Sequence, residues 1–438
     1  MPDTHLADSL DAGSDRRRSL TSRFQKARGR TAELVAPLSP EDLMIQSVAD
    51  GAPAKWHLAH TTWLFETTVL IPFSPGYRPY DPHFLDLFQA RDERIEGHSG
   101  GPGGKPVRAP ALRLLSRPSA ADIMRYRDHV NGAVLHLIDA AEDGLFDSVA
   151  EHINIAIAHE RRHQERLLTH IKHAFWCNPL HPAYESAPDH VGGGTPPDAW
   201  VEHSGGLVEV GRAEPQPGFD HESPRHQVFL KPFRLAARPV SCGEFRAFVE
   251  AGGYGERSLW MADGWETLRA EGWSAPLYWE RREGAWQIFT LHGQRPLDPN
   301  EPVCHVSWYE ADAFARWAGK RLPVEAEWET VAARCEGMGN LLGTGYRHPR
   351  AGSYHGKGPW QMCGDVWEWT RSAFAPYPGY RQPEGLDEAV HGRFMSNRMV
   401  LRGGSCVTPF DHAGPWTRHY LRPDMRLSFT GFRLAEDA

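Results

Sequence analysis

The sequence predicts two domains of different fold class, a helical bundle followed by an α+β domain. Fourteen of the 24 histidines lie before residue 191, whereas 13 of the 16 tryptophans lie after it. The stretch 181–200 is rich in proline and glycine and lacks periodicity, which is typical of a linker. Long runs with helical spacing of apolar residues occur only before that stretch. We therefore expect a bundle over 16–185, a linker over 186–204 and a second domain over 205–438.

Four runs of residues predict the helices of the bundle. They cover residues near 16–36, 54–70, 119–141 and 147–175. The second run ends before Pro72, and Ser119 is a predicted N-cap of the third, with Asp122 at the third helical position. Four long helices favour a bundle. The connection over 71–118 is of a length that is usually functional or disordered.

The second part of the chain predicts a domain with few regular elements and long loops. Short strand-like pieces occur at GLVEV (206–210) and HQVFL (226–230), and helical segments at 241–251 and 307–318. Glycine, proline and tryptophan interrupt the stretches between them. This mixture is typical of an α+β domain.

Composition excludes several classes of function. The formal charge of -8 gives no basic field for non-specific nucleic-acid binding. No stretch approaches the roughly 18 apolar residues of a membrane span, and the N-terminus lacks the apolar core of a signal peptide. The six cysteines include no C-x-x-C pair, so we expect neither a disulfide framework nor a Cys-zinc site. We therefore expect the protein to be located in a reducing cytoplasm.

The longest predicted helix carries a candidate metal motif. His159 and His163 lie four residues apart in HERRHQE, so both imidazoles leave one face of the helix. The same residues form H-E-x-x-H, the pattern of zinc peptidases, with Glu160 in the general-base position. The alternative is a pair of solvated or buried histidines without a metal.

An upstream helix offers a third ligand. In WHLAHTTW, His57 and His60 lie about one turn apart, and a bundle can place this helix against the one with His159 and His163. Three imidazoles without a thiolate or carboxylate favour Fe(II) or Zn(II) over Mg²⁺ or Ca²⁺. The ligand set alone does not choose between iron and zinc.

Longer motifs resemble a known family. KWHLAHTTWLFE and HERRHQERLLTHIKH resemble the DinB-type helical domain of hercynine-modifying sulfoxide synthases. PVCHVSWYEADAFARWAGKRLPVEAEWE, GDVWEWT, VLRGGSC and FTGFRLAED resemble the formylglycine-generating-enzyme-like domain, a fold related to C-type lectins. Together they cover about residues 20–175 and 205–437. The chain is thus similar to the ergothioneine sulfoxide synthases and the related ovothiol and selenoneine synthases.

The resemblance implies a mononuclear non-haem Fe(II) held by three histidines. The ligands it implies are His60, the second histidine of W-x-L-A-H, with His159 and His163. His57 is then an outer or structural residue, because some members have no histidine there. The implied reaction uses O2 to join C2 of the imidazole of hercynine, N-trimethylhistidine, to sulfur or selenium.

Departures from the sulfur-using members suggest which chalcogen is used. Arg162 replaces a glutamine that contacts hercynine in the family, and a segment with Arg91 and Arg94 replaces a pair of tyrosines. In ergothioneine synthases a tyrosine supplies a proton and an electron during sulfur oxidation. Selenium is more easily oxidised than sulfur. We therefore favour a selenoneine synthase that takes a selenosugar, with the loop from Arg91 to Arg108 as the donor site.

The remaining candidates concern hercynine itself. Its trimethylammonium group needs aromatic faces, for which Trp416 and Tyr420 are candidates. Its carboxylate needs a cationic donor, for which Arg162 or Arg418 are candidates. By its place in the family's hercynine-contacting segment, His419 is expected near the substrate, and Tyr380 in PYPGY is the candidate catalytic tyrosine.

Three other functions stay open at the level of the sequence. An ergothioneine sulfoxide synthase would join hercynine to cysteine or γ-glutamylcysteine in place of a selenosugar. A zinc peptidase would use Glu160, although its third ligand normally lies downstream of the motif. A lectin-like domain can also be a non-catalytic module that binds sugar or protein.

Overall fold

The computed structural model divides the chain into two compact units, residues 1–177 and 178–438. The structure describes residues 4–49, 51–89, 112, 115–188, 193–195, 197–213, 218–335, 337–355, 358–382 and 391–438, with side chains from residue 14 onward. The predicted donor-site residues Arg91, Arg94 and Arg108 lie outside these ranges. The linker prediction over 186–204 extends too far, because Trp200–His203 is a paired strand of the second unit.

The first unit is built from four long helices, as the sequence predicts. Its helices are α1 Thr4–Val35, α2 Ala54–Phe65, α3 Ile71–Phe73, α4 Pro82–Leu87, α5 Ala120–Ala140 and α6 Asp143–Cys177. The predicted N-cap is confirmed: the Ser119 hydroxyl accepts from the Asp122 N–H at 3.2 Å, and the Asp122 carboxylate accepts from the Ser119 N–H at 2.8 Å. This reciprocal pair satisfies two of the unpaired N–H groups at the start of α5.

The end of α2 differs from the prediction. The helix does not stop before Pro72 but widens into a π turn over Glu66–Leu70 and continues as α3. Pro72 has no N–H for an ordinary i−4 hydrogen bond, and the wider turn before it accommodates that loss. The buried Glu66 carboxylate then accepts the hydroxyls of Tyr77 at 2.7 Å and Tyr126 at 2.6 Å. These bonds hold the segment after α3 against α5.

The second unit is a set of small sheets with helices between them. Its strands are β1 Trp200–His203, β2 Gly206–Val210, β3 His226–Leu230, β4 Phe233–Ala236, β5 Trp279–Arg282, β6 Ala285–Thr290, β7 Gly293–Pro296, β8 Trp367–Ala373, β9 Met399–Arg402, β10 His419–Leu421, β11 Thr430–Gly431 and β12 Ala435–Asp437. Its helices are α7 Cys242–Glu250, α8 Ala262–Glu271, α9 Trp308–Trp317 and α10 Glu325–Ala332. The predicted strands at 206–210 and 226–230 are β2 and β3, which pair antiparallel.

The sheets have the orders β1-β4-β12, β10-β9-β8-β11, β2-β3 and β5-β6-β7. Strands β8 and β11 run parallel, and the other pairs are antiparallel. The tryptophan excess is explained here, because Trp328, Trp367 and Trp369 are among the largest fully buried side chains. None of the six cysteines forms a disulfide. No helix within the described ranges combines the length and apolar character that crossing a membrane requires.

Candidate metal centre

Three histidines from two helices of the first unit converge as the sequence predicts. His60 comes from α2, and His159 and His163 come from successive turns of α6. One ring nitrogen from each lies within 4.8 Å of the other two, and His60 Nε2 is 3.3 Å from His159 Nε2. Two nitrogens bound to one ion at about 2.1 Å lie about 3.0–3.4 Å apart. The spacing therefore fits a shared metal ion.

The ring of His60 is fixed on both faces and at one nitrogen. Trp56 stacks on it at 4.5 Å between ring centroids, and Trp63 stacks at 5.4 Å. Its Nδ1–H donates to the carbonyl of Phe88 at 2.8 Å. Because a carbonyl can only accept, the proton is on Nδ1 and the lone pair is on Nε2. Nε2 is the nitrogen that faces His159.

A chain of hydrogen bonds fixes the tautomer of His163. The N–H of Ala52 donates to His170 Nδ1 at 3.2 Å, so that nitrogen is an acceptor. His57 Nε2, 2.9 Å from the same nitrogen, is then a donor. Burial lowers the pKa of His57 and of His163 well below the usual range, so each neutral ring carries one proton. His57 Nδ1 therefore accepts from His163 Nδ1–H at 2.8 Å, and His163 Nε2 keeps its lone pair for a metal.

The donor set is what a divalent transition ion requires. It consists of three imidazoles, two of which, His60 and His163, are oriented by outer hydrogen bonds, with no carboxylate or thiolate in the set. Such a set suits Fe(II) or Zn(II) and leaves coordination positions for other molecules. The outer role expected for His57 agrees with its contact to His163.

The Glu160 carboxylate is buried in the core of the bundle and bonded to side chains of other helices. It is fully buried and accepts from Arg28 at 3.0 Å, Arg127 at 2.9 Å and Thr31 at 2.6 Å. Burial raises the pKa of its carboxyl group, but the guanidinium groups of Arg28 and Arg127 outweigh that effect and lower it to about 2. A general base needs a pKa close to the working pH and reach to a bound water. This environment argues against the zinc-peptidase alternative.

The ion pairs of Glu160, together with one further hydrogen bond of Arg28, connect all four long helices. Arg28 and Thr31 belong to α1, Arg127 to α5 and Glu160 to α6. Arg28 also donates to Thr62 of α2 at 2.9 Å. Residue 160 lies about 100° around α6 from residue 159, so it points away from the ligand face.

Replacing His57 with phenylalanine is expected to weaken metal binding at the three-histidine site by about 10–100-fold, because the acceptor that orients His163 is lost. Equilibrium dialysis with Co(II) and the visible absorption of the bound ion measure this effect without turnover. The matched control is His136→Ala, since His136 is exposed on α5. Unchanged affinity in His57→Phe would contradict the orienting role.

Among the described residues of this unit, the remaining predicted site residue is Arg162, which directly precedes His163 on α6. Its side chain is partly exposed. Its role in substrate binding stays a prediction.

In the second unit, the predicted residues Tyr380, Arg418 and Tyr420 surround a buried cluster of Asp220, His221 and His391. The Tyr380 hydroxyl donates to Asp220 at 2.6 Å, and burial raises its pKa above the usual value. His221 Nε2 is 2.9 Å from the Arg418 carbonyl, and the His221 and Tyr420 rings meet edge to face at 5.6 Å. The sequence carries no local signal for this cluster, because its members at 220 and 391 are far apart along the chain.

The guanidinium of Arg418 already has partners inside its own unit. It donates to Glu325 at 3.1 and 3.2 Å and to the His221 carbonyl at 2.7 Å, and it lies 4.0 Å from the centroid of the Tyr377 ring. These bonds give Arg418 a structural role. Its binding of the hercynine carboxylate stays a prediction.

Two further predicted residues lie close in sequence to Arg418. Trp416 is partly exposed, and its carbonyl accepts from Arg402 at 3.2 Å. His419 begins β10, and its ring lies 4.9 Å from that of Trp367. Neither contact tests the predicted role in substrate binding.

Comparison with known proteins agrees with this architecture. Residues 23–167 match the DinB superfamily, and residues 193–354 and 351–438 match the Sulfatase-modifying factor enzyme 1-like domain. The predicted pairing of a DinB-like helical domain with a formylglycine-generating-enzyme-like domain is thus confirmed. The formylglycine-generating enzyme of Streptomyces coelicolor is 32% identical over 273 residues, which cover 50% of this chain and 82% of that protein.

Two relatives match nearly the whole chain. The hercynine oxygenase of Mycolicibacterium thermoresistibile is 30% identical over 450 residues, covering 96% of this chain and 95% of that protein. The hercynine oxygenase of Mycobacterium tuberculosis is 31% identical over 442 residues, covering 95% of this chain and 98% of that protein. Because both matches span both domains, the chain belongs to the hercynine oxygenase family.

Proposed function

We propose that this protein is an Fe(II)- and O2-dependent enzyme that replaces the C2–H bond of the hercynine imidazole with a carbon–selenium bond, using a selenosugar as donor. The assignment as an oxygenase rests on one observation, the three-histidine site in a chain of this family. Its substrates are then small molecules and O2. The cysteines, none in a disulfide, fit the reducing cytoplasm in which we place it.

The ligands of the iron are His60, His159 and His163. Bound Fe(II) would supply the activation of O2. The protein contributes neutral, pre-oriented nitrogens: the Phe88 carbonyl fixes His60, and His57 fixes His163. A site arranged in this way loses little free energy to reorganisation when the metal binds.

Hercynine is recognised through its fixed cation and its carboxylate. We assign the trimethylammonium group to the aromatic faces of Trp416 and Tyr420, and the carboxylate to Arg162 or Arg418. Tyr420 is held by Phe374, which stacks on it at 4.1 Å between centroids. We also place His419 next to bound hercynine. Tyr380 is the proposed catalytic tyrosine, and its hydroxyl donates a hydrogen bond to Asp220.

Selenium is favoured by the departures from sulfur-using members, namely Arg162 and the segment with Arg91 and Arg94. The names of the relatives fit the alternative equally well, an ergothioneine sulfoxide synthase that takes cysteine or γ-glutamylcysteine. The two functions share the metal site and hercynine, so only the donor distinguishes them.

The test gives Fe(II)-loaded protein hercynine and O2 with a selenosugar, cysteine or γ-glutamylcysteine, singly and in competition, and identifies products by mass spectrometry. We expect a selenium adduct at C2 of hercynine that outcompetes both thiols. Preferential formation of a sulfur adduct would favour the alternative. No hercynine consumption with any donor would rule out both functions. His159→Ala is the matched inactive control, since it removes a proposed iron ligand.

A further inference from the structure

The second unit contains a buried cluster of side chains that the proposed function does not use for iron. Asp220, His221 and His391 each offer one ligand atom, and these atoms lie within 4.8 Å of one another. The exposed fractions of the three side chains are 3%, 2% and 1%. Asp220 and His221 lie in the turn before β3, and His391 lies 171 residues from Asp220 along the chain.

The hydrogen bonds around His221 determine where its lone pair points. His221 Nε2 lies 2.9 Å from the Arg418 carbonyl, which can only accept, so Nε2 carries a proton. In the neutral ring the lone pair is then on Nδ1. That nitrogen faces Asp220 Oδ1 at 3.3 Å. A cation bound between this nitrogen and the carboxylate oxygen would convert the repulsion of their lone pairs into two favourable contacts.

The carboxylate of Asp220 is held so that one oxygen faces both imidazoles. Its Oδ2 accepts from the Tyr380 hydroxyl at 2.6 Å and from the backbone N–H of His391 at 3.1 Å. Its Oδ1 is hydrogen-bonded to His391 Nδ1 at 2.7 Å and lies 3.3 Å from His221 Nδ1. A metal ion bound at this place would take the position of the proton in the hydrogen bond to His391. Ligating carboxylates and histidines in metal sites are oriented by such outer hydrogen bonds.

Aromatic rings form the surroundings of the cluster. Phe219 stacks on His221 at 5.5 Å, and Phe374 and Tyr420 meet His221 edge to face at 5.4 and 5.6 Å. A low-dielectric shell of this kind strengthens the attraction between a cation and its ligands.

We propose that Asp220 Oδ1, His221 Nδ1 and His391 Nδ1 form a second metal site, selective for a divalent first-row transition ion of the Zn(II) or Fe(II) class. Bonds of about 2.1 Å place two ligands about 3.0–3.4 Å apart. The separation of 3.3 Å lies within this range, and the hydrogen-bonded separation of 2.7 Å would lengthen when the ion replaces the proton. Two imidazoles with one carboxylate favour such an ion over Mg²⁺ or Ca²⁺. The ion would connect the turn before β3 to His391.

The experiment counts metal ions in the full-length protein, freed of any affinity tag and dialysed against Zn(II) or, anaerobically, Co(II). We expect two ions per wild-type chain and one in the double variant His60→Ala, His163→Ala. Because that variant leaves the second cluster intact, its result does not depend on whether changes at His221 or His391 fold. The retained Co(II) should show its own visible absorption bands.

A second variant identifies the site. His221→Gln with His391→Gln is expected to bind one ion, at the three-histidine site, with unchanged circular dichroism. The proposal is overturned if the double variant at His60 and His163 binds no metal while remaining folded. It is also overturned if the folded variant His221→Gln with His391→Gln binds as many ions as the wild-type chain. Metal counting is independent of turnover, so failure of the proposed reaction does not affect this test.

Discussion

Replacing His159 with alanine is expected to lower the affinity of the three-histidine site for Co(II) or Fe(II) by more than about 100-fold and to abolish hercynine consumption. The loss should exceed the roughly 10–100-fold effect of removing an outer hydrogen bond, because one of three direct ligands disappears. His159 is the best position for this change, since its side chain is partly exposed whereas His60 is packed between Trp56 and Trp63. Equilibrium dialysis measures affinity, and mass spectrometry measures hercynine.

The control variant is His136→Ala, which removes an exposed imidazole from α5 and should bind metal as wild type does. Far-ultraviolet circular dichroism must match among the three proteins, because a loss of helix would lower metal binding indirectly. If a folded His159→Ala protein bound as many Co(II) ions as the wild-type chain, each with wild-type affinity, the three-histidine centre would be wrong.

The convergence of the three histidines was predictable from local spacing and from the family resemblance. Spacing of four residues places His159 and His163 on one face of a helix, and the resemblance through W-x-L-A-H singles out His60 rather than His57. The N-cap at Ser119 was predictable for the same reason, since the capping box is a contact between residues three apart.

Apart from the outer role of His57, which the family resemblance implies, the contacts that support the three histidines could not be predicted, because they join distant parts of the chain. The tautomer of His163 depends on His57, His170 and the N–H of Ala52. The cluster around Asp220 depends on His391, beyond any local pattern. The H-E-x-x-H motif also suggested Glu160 as a general base, because the motif gives no sign of the two arginines from other helices.

Replacing Glu160 with glutamine is expected to lower the free energy of unfolding by about 3–5 kcal/mol, because the buried guanidinium groups of Arg28 and Arg127 lose their counter-ion. Urea unfolding followed by circular dichroism at 222 nm measures the change in the helical domain. The matched control is Glu151→Gln on the exposed surface of α6, where an effect within about 0.5 kcal/mol is expected. A peptidase general base would instead give a stable, inactive variant.

The pH dependence separates the charge of Glu160 from its shape. The folded-state pKa of about 2 lies below the ordinary value of 4.5, so the stabilisation is fully present above about pH 4.5 and is lost as the pH falls toward 2. The difference in unfolding free energy between wild type and Glu160→Gln should therefore shrink between about pH 4.5 and pH 2. Glutamine has the shape of the carboxyl group but no charge to lose, so only the wild-type protein should respond to protonation at residue 160. A difference in unfolding free energy that stayed constant over this range would assign the effect to packing rather than to charge.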